Sequence, residues 1–238
     1  MIVTIHQPEH LPWLGFFHKV SMADTYVVLD NVQYRRRYFQ NRNKIRTITN
    51  WQWITVPLEK DERDALLIKN ARIADAGGKW KSKNLESIFH NYHRATYFKS
   101  YWDDFKSAYM ENHISLSDFN CSLLKYLFNS FNIQKDVLLA SEMGASGEKG
   151  DLILNICKIT GARKYFSGIS GKDYLDLDKF SKNNIEVEFQ EFHHPIYAQL
   201  YDDFIPCMSA LDLLFNHGPK SLDMIHGVNV PVMEEIFL

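Results

Sequence analysis

Two short β-branched runs, Ile2-Val3-Thr4-Ile5 and Tyr26-Val27-Val28-Leu29-Asp30, fall within the first 30 residues and leave room between them for one short helix. The first run ends at His6-Gln7-Pro8, and Pro12 suits the first turn of a helix running to about Met22. Strand, short helix and strand at this spacing form a βαβ unit, whose strands lie parallel in one sheet. That pattern sets the expectation for the rest of the chain.

A polar, basic stretch follows from Asn31 to Asn50, then Trp53-Ile54-Thr55-Val56-Pro57 reads as a third strand. Residues 58–78 read as irregular, with Leu66 to Ile73 extended and Gly77-Gly78 as a break. From Lys79 to Phe131 the chain has no proline, and Leu85, Ile88, Phe89 and Tyr92, then Leu123, Leu124, Leu127, Phe128 and Phe131, repeat at helical spacing. About three helices are expected there. The α/β rhythm then resumes: strands at Val137–Ala140, Lys164–Gly168 and Ile185–Phe189 alternate with helices at Gly150–Thr160 and Asp178–Asn183. A last helix begins at Ser209, read as its N-cap, and stops near Gly218-Pro219. The expected fold class is α/β, a single domain over residues 1–238 with a mostly parallel sheet flanked by helices and a helical insertion at about 79–131.

Composition excludes several function classes. Lys and Arg total 27 against 29 Asp and Glu, a formal charge of −2, so a general nucleic-acid binder with an overall basic field is not expected. The cysteines Cys121, Cys157 and Cys207 are odd in number and lack CxxC spacing, which fits neither a disulfide framework nor a thiolate zinc site. No apolar run approaches the ~18 residues of a membrane helix, and the N-terminus does not read as a signal peptide. The cytoplasm is the expected compartment. Aromatic residues reach 14%, enough to fill a core and also to line pockets for sugars or bases.

Polar residues fall repeatedly at the carboxyl ends of the expected strands: His6 and Gln7, Asp30 and Gln33, Ser141, and Ser167-Gly168. Ligands of open parallel sheets bind outside those ends. His6 and His10, flanking the start of a helix, are suited to phosphate oxygens. The outline is that of HxGH-type adenylate-forming and nucleotidyl-transferring enzymes, although the histidines here are four apart with no glycine between them. Pro8 and Pro12 rule out a helix presenting both histidines to one metal ion.

In the second motif, six of the thirteen residues from Tyr34 to Arg46 are Lys or Arg. Guanidinium groups grip phosphate through paired hydrogen bonds, and interleaved aromatics stack on bases and sugars. Asn41, Arg42, Asn43 and Lys44 are candidates, with Gln33 and Tyr34, for an anion or nucleotide-sugar site; the alternative is a solvated charged face. The third motif, Tyr165-Phe166-Ser167-Gly168-Ile169-Ser170-Gly171-Lys172-Asp173-Tyr174, allows a backbone loop to approach a phosphate or carboxylate. The fourth, His193-His194-Pro195-Ile196-Tyr197-Ala198-Gln199, offers His194 either as a general base or as a loop histidine beside proline.

Taken together, HQPxxLPWLGFFxK, AD-x5-D-x2-QY, NRN, WQWITVP, YFSGxSGxxYL, HPxYxQ and SALDLLFNHG resemble the WbqC-like protein family, in family order from His6 to Gly218. The resemblance implies an accessory enzyme of O-antigen, lipopolysaccharide or other surface-polysaccharide assembly. The implied activity is transfer of glycine or a similar acyl group to the amino group of a nucleotide-linked amino sugar. Carried over by position, the motif residues are His6, Gln7, Asp30, Gln33, Tyr34, Asn41, Arg42, Asn43, Ser167, Gly168, Tyr174, His194, Tyr197, Gln199 and Asp212.

The chemistry gives these residues expected roles. His6, His10, His194 and Asp30 form the catalytic set, with His194 accepting the amine proton; the others, with Lys44, bind substrate. An acyl-adenylate route brings in ATP with Mg²⁺. A donor already activated on a carrier protein, coenzyme A or tRNA would free the histidines for acid–base work. A nucleotidyltransferase and a non-catalytic sugar-nucleotide-binding protein remain as alternatives.

Overall fold

The computed structural model describes residues 1–60, 66–74 and 78–233. In chain order the elements are β1 (Ile2–His6), α1 (Leu14–Ser21), β2 (Thr25–Val28), β3 (Arg42–Arg46), β4 (Trp51–Thr55), α2 (Lys79–Tyr92), α3 (Phe98–Met110) and α4 (Leu116–Ser130). They continue with β5 (Asp136–Leu139), α5 (Lys149–Ile159), β6 (Lys164–Ser167), α6 (Leu177–Lys182), β7 (Glu186–Phe189), α7 (Leu211–His217) and α8 (Ser221–Ile225). No helix among the described residues is long and apolar enough to cross a membrane.

The chain divides into two compact units. One comprises Met1–Pro8, Phe16–Val32 and Lys135–Phe192; the other comprises Glu9–Gly15, Gln33–Gln134 and His193–Leu238. The first holds a five-stranded sheet of order β5-β2-β1-β6-β7 in which each pairing is parallel. The fold is thus α/β with a parallel sheet flanked by helices, as the opening βαβ pattern predicts.

Sequence alternation puts each side chain of this sheet on one of two faces. Val3, Ile5, Val27 and Tyr165 join Leu152, Ile153, Ile156 and Cys157 of α5 and Phe180 of α6 in one buried cluster. Burying an aliphatic side chain of this kind stabilises the fold by roughly 1.5–3 kcal/mol. On the opposite face Phe16 of α1 meets Tyr26 edge-on at 5.6 Å and His6 at 5.4 Å. The end of α1 is held by Lys135, whose ammonium donates to the Ser21 carbonyl at 3.1 Å and to that of Ala23. Edge strand β7 alternates exposed Glu186 and Glu188 with half-buried Val187 and Phe189, and both glutamates pair with Lys164.

The second unit holds an antiparallel hairpin, β3 with β4, and the helices α2–α4, α7 and α8. Here the sequence reading is corrected. The stretch from Asn31 to Asn50 contains a strand, and the third expected strand begins at Trp51 and pairs with it rather than with the parallel sheet. The cations hid β3: Arg42, Lys44 and Arg46 repeat with period 2, and the intervening Asn43 and Ile45 are buried. Between Leu66 and Ile73 a short 3-10 turn at Ile68–Asn70 interrupts bridged residues Leu67, Arg72 and Ile73. Gly77 lies outside the described residues. The helix expected from Ser209 is α7, whose N-cap is Ala210 and not Ser209, although the Ser209 hydroxyl accepts from the Leu211 N–H at 3.4 Å, and it is not the last, because α8 follows it.

Candidate functional site

In the first unit, the chain runs from β1 outward to β2 and β5, then crosses to the other side of β1 and continues through β6 to β7. The order reverses between β1 and β6, and in open α/β sheets ligands bind in the crevice outside the carboxyl ends at such a switch point. The β1–β6 ladder covers Ile2 with Lys164 and Val3 with Tyr165. One residue further, the Thr4 hydroxyl donates to the Phe166 carbonyl at 2.8 Å, so a side chain satisfies an acceptor of the next strand.

His6 ends β1 at this point and is half-buried. The Lys19 ammonium, carried back from α1, lies 2.6 Å from His6 Nδ1 and 3.3 Å from the Ile5 carbonyl oxygen. Lys19 is only 3% exposed, so its charge belongs to this strand end and not to the bulk surface. A side-chain carbon built on Gly168 would lie 3.8 Å from the same ammonium, which places the loop after β6 beside it. Ser167 is buried and donates to the Gly168 carbonyl at 3.0 Å. The loop then turns so tightly that a carbon on Gly171 would sit 2.1 Å from Ser167 Oγ, and only glycine fits. Tyr174, partly exposed, hydrogen-bonds Tyr165; burial raises the pKa of both phenols above its ordinary value.

Asp30 follows β2 and is buried, with both carboxylate oxygens on Ser141: Oδ1 accepts the backbone N–H at 2.9 Å and Oδ2 the hydroxyl at 2.6 Å. His6, Gln7, Asp30, Ser167, Gly168 and Tyr174 therefore all stand at or just beyond the carboxyl ends of one parallel sheet.

In the second unit the hairpin carries a ladder of cations on indoles. Arg42 lies 4.1 Å above the Trp53 ring and Lys44 4.9 Å from that of Trp51. Arg42 also donates to the Arg37 carbonyl. Asn41 exchanges hydrogen bonds with Val56, its side-chain amide to the Val56 carbonyl at 2.9 Å and the Val56 N–H back to its carbonyl at 2.8 Å. Gln33, exposed, bridges Leu67, and the Tyr34 N–H donates to the Leu66 carbonyl at 2.7 Å. Burial raises the Tyr34 phenol pKa, opposed by the charges of Arg42 and Arg36.

The remaining candidates in this unit are internally bonded, and all but the half-buried Gln199 are buried. Asn43 donates to the Leu11 carbonyl at 2.9 Å, and so holds a residue whose φ of 47° is left-handed. His10 is fully buried between Asn120 Oδ1 and the Tyr109 hydroxyl, 3.3 Å from each, and stacks on Phe119. Burial lowers its pKa to about 4, so the ring is neutral at pH 7. His194 is also buried: Nδ1 donates to the Pro195 carbonyl at 2.8 Å, and Nε2 accepts the Cys207 N–H at 3.2 Å. Burial depresses its pKa as well. Its one acceptor nitrogen is thus turned to the backbone.

Tyr197 and Gln199 converge on Asp212 Oδ2 at 2.9 and 2.8 Å. Gln199 further closes on Ile205 through both ends of its amide, and its oxygen accepts from Arg46 at 3.3 Å. Burial raises the Asp212 pKa, partly offset by the hydroxyl and amide bonds it receives.

Sequence reasoning missed Lys19 and the two tryptophans. The signal for Lys19 was a cation among Phe16, Phe17 and Val20, all buried on a short helix. For Trp51 and Trp53 it was their period-2 spacing, in step with Arg42 and Lys44 across the hairpin.

A family model described as the WbqC-like protein family matches residues 7–224. An uncharacterized protein of Mycobacterium tuberculosis, Rv1507c, is 31% identical over 225 residues, covering 94% of this chain and 96% of that protein. No solved structure matches. A match that starts beside His6 and runs past Asp212 takes in both units and nearly every residue described above, and on that ground the chain belongs to the WbqC-like protein family.

Proposed function

We propose that the protein is an amide-forming acyl or aminoacyl transferase, acting in the cytoplasm on the amino group of a nucleotide-linked sugar for surface-polysaccharide assembly. One observation carries the nucleotide part of this reading: the carboxyl ends of β1 and β6 flank the switch point of a parallel sheet and bring His6 and the Ser167-Gly168 loop there. The amide-forming part rests on the motifs shared with the family.

In the chemistry proposed, a donor carboxylate oxygen attacks the α-phosphorus of ATP and pyrophosphate leaves. The sugar amine, having lost one proton to solvent, then attacks the acyl carbon; the C–N bond forms, the C–O bond to AMP breaks, and a second proton leaves the nitrogen to solvent. His6, Gln7 and the Ser167-Gly168 backbone would orient the nucleotide. The Asp30–Ser141 pair would fix the adjoining loops. Mg²⁺ would neutralise phosphate charge; no group of three His, Cys, Asp or Glu suited to a metal stands among the described residues, so no protein ligand is assigned to it. His194 is not retained as the base, because its acceptor nitrogen holds the Cys207 N–H. In the second unit, taken by itself, the Arg42–Trp53 and Lys44–Trp51 pairs of the hairpin suit an anionic, ring-bearing ligand.

A nucleotidyltransferase is the second reading, since the groups at the switch point suit phosphate more than acyl chemistry. Pyrophosphate–ATP isotope exchange with Mg²⁺, run in separate arms with a panel of amino acids including glycine, a nucleotide-linked amino sugar, and sugar 1-phosphates, separates the two. Exchange that depends on one carboxylic acid supports adenylation. Exchange that depends on a sugar phosphate alone supports nucleotidyl transfer and overturns the first reading. No exchange under any condition rejects the ATP route.

A further inference from the structure

The three cations of β3 lie on one face of the hairpin and meet three different fates. Arg46 is buried, and its guanidinium is committed to the main-chain carbonyls of Thr47, Asn50, Asp202 and Asp203. Arg42 is half-buried: it donates to the Arg37 carbonyl, while its Nε is shut off from solvent with no hydrogen-bond partner among the described residues. Lys44 is half-buried too, and its ammonium stands over indoles, 4.9 Å from the Trp51 ring and 5.8 Å from that of Trp53. An indole face attracts the charge but supplies no oxygen acceptor for the three N–H groups of an ammonium. Neither Arg42 nor Lys44 forms an ion pair among the described residues. The sequence from Asn31 to Leu58 holds no Asp or Glu.

A buried donor without an acceptor is rare in folded proteins, and an anion at this face would answer both charges. We infer that the face is a nucleoside-diphosphate site, in which Lys44 and Arg42 take one phosphate each and the indole of Trp51 stacks on the base. Two residues of strand separate the cations by roughly 6.5 Å, a spacing suited to neighbouring phosphates. Trp51 is 37% exposed and stands opposite Arg46, next beyond Lys44, so it offers a ring platform at the end of the cation row. Trp53 is no second platform, because Arg42 covers it at 4.1 Å. The row itself stops at Arg46, whose guanidinium is held by carbonyls. One ring and two phosphates therefore complete it, whereas a single-stranded nucleic acid needs rings and cations that go on repeating.

This site deepens the reading of the hairpin proposed above, an anionic, ring-bearing ligand in the second unit, and rests on it. It adds the order of the parts: the diphosphate lies along β3 and the base across on β4.

The test is calorimetric titration of the full chain with UDP, GDP, ADP, CDP and dTDP, each beside its monophosphate, with tryptophan fluorescence as a second readout. At least one diphosphate should bind, at least tenfold tighter than its monophosphate, and quench the indole emission. Lys44→Gln and Trp51→Leu should each weaken that binding at least tenfold with the melting temperature unchanged, and Trp51→Phe should retain most of it. Failure of all the diphosphates to bind overturns the proposal without recourse to any variant. So does equal affinity for the monophosphate, or affinity indifferent to both substitutions. A single-stranded oligothymidine that binds and is not displaced by the diphosphate would overturn it in favour of a nucleic-acid face. Diphosphate binding that needs Lys44 and Trp51, in a protein without isotope exchange, would keep this site and reject the adenylation chemistry. Acylation of a nucleotide-linked amino sugar at the parent rate by both variants would do the reverse, so the two failures are distinct.

Discussion

The carboxylate of Asp30 is bound to Ser141 through both oxygens, one taking the backbone N–H at 2.9 Å and the other the hydroxyl at 2.6 Å. These residues are 111 apart in sequence, and the contact ties the loop leaving β2 to the segment leaving β5 on neighbouring parallel strands. Hydrogen bonds to an ionised acceptor are worth roughly 1.5–3 kcal/mol. Ser141→Ala removes one of the two and should cost about that much in urea unfolding. Asp30→Ala removes both and should cost more. A Ser141→Ala variant as stable as the parent would show that Asp30 is held in place by other contacts.

Stability should fall with acid through His10. In the folded protein its pKa is depressed to about 4 by burial, whereas an unfolded histidine titrates near 6.5. Between those values the unfolded chain takes up a proton that the folded chain refuses. The contribution is present above about pH 6.5 and is lost as pH falls toward 4, a change on the order of 3 kcal/mol. His10→Gln should flatten this part of the pH–stability curve measured by chemical denaturation. An unchanged slope in the variant would assign the acid sensitivity to other groups.

Arg46 is buried, and its guanidinium donates to the main-chain carbonyls of Thr47, Asn50, Asp202 and Asp203. A lysine has one point charge and cannot reach four carbonyls in a plane. Arg46→Lys should therefore lower stability by roughly 2–4 kcal/mol, because carbonyls are left unpaired inside the second unit. Hydrogen exchange should show added opening at residues 199–205, the segment those bonds hold down. Protection there equal to the parent would contradict the assignment.

Gly171 faces Ser167 Oγ at a distance no side-chain carbon tolerates, 2.1 Å, with Leu175 and Phe189 at 3.0 and 3.2 Å. Gly171→Ala should cost about 1–3 kcal/mol by overpacking. Adding Ser167→Ala should recover part of that loss by removing the nearest atom, leaving the strain against the other two. A double variant no more stable than Gly171→Ala would locate the clash at Leu175 and Phe189 instead.

The hairpin ladder should bear on binding more than on folding. A cation over an indole contributes about 0.5–1 kcal/mol at a partly exposed site, so Arg42→Gln should barely shift the melting temperature. If the hairpin contacts substrate as proposed, the same change should weaken calorimetric affinity for a nucleotide-linked amino sugar about tenfold or more. Trp53→Leu should do likewise by removing the stacking surface. Affinity unchanged in both variants would make the ladder a solvated face of the hairpin.

The sequence by itself determined the parallel sheet and the family. β-branched runs at Ile2 and Tyr26 with one helix between them can bury their side chains only as parallel strands covered on both faces, and the apolar repeat in α5 sets which helix face meets them. Pattern conveys this because burial of apolar groups follows the local period of strand or helix. It failed at β3, where cations in a strand look like a loop until Trp51 and Trp53 are known to lie across from them.

Only the tertiary structure decided the fate of the polar candidates. His194, Gln199 and Asn43 look as available in the sequence as His6 does, yet their polar groups are taken by Cys207, Ile205 and Leu11. Lys19 looks like a surface lysine, yet its ammonium ends at His6. A polar group's role depends on which distant segment supplies its partner, as when Thr4 meets Phe166 across 162 residues. Local periodicity carries no record of such partners; strand order does, because it sets β1 beside β6 and so brings His6 and Ser167 to one end of the sheet.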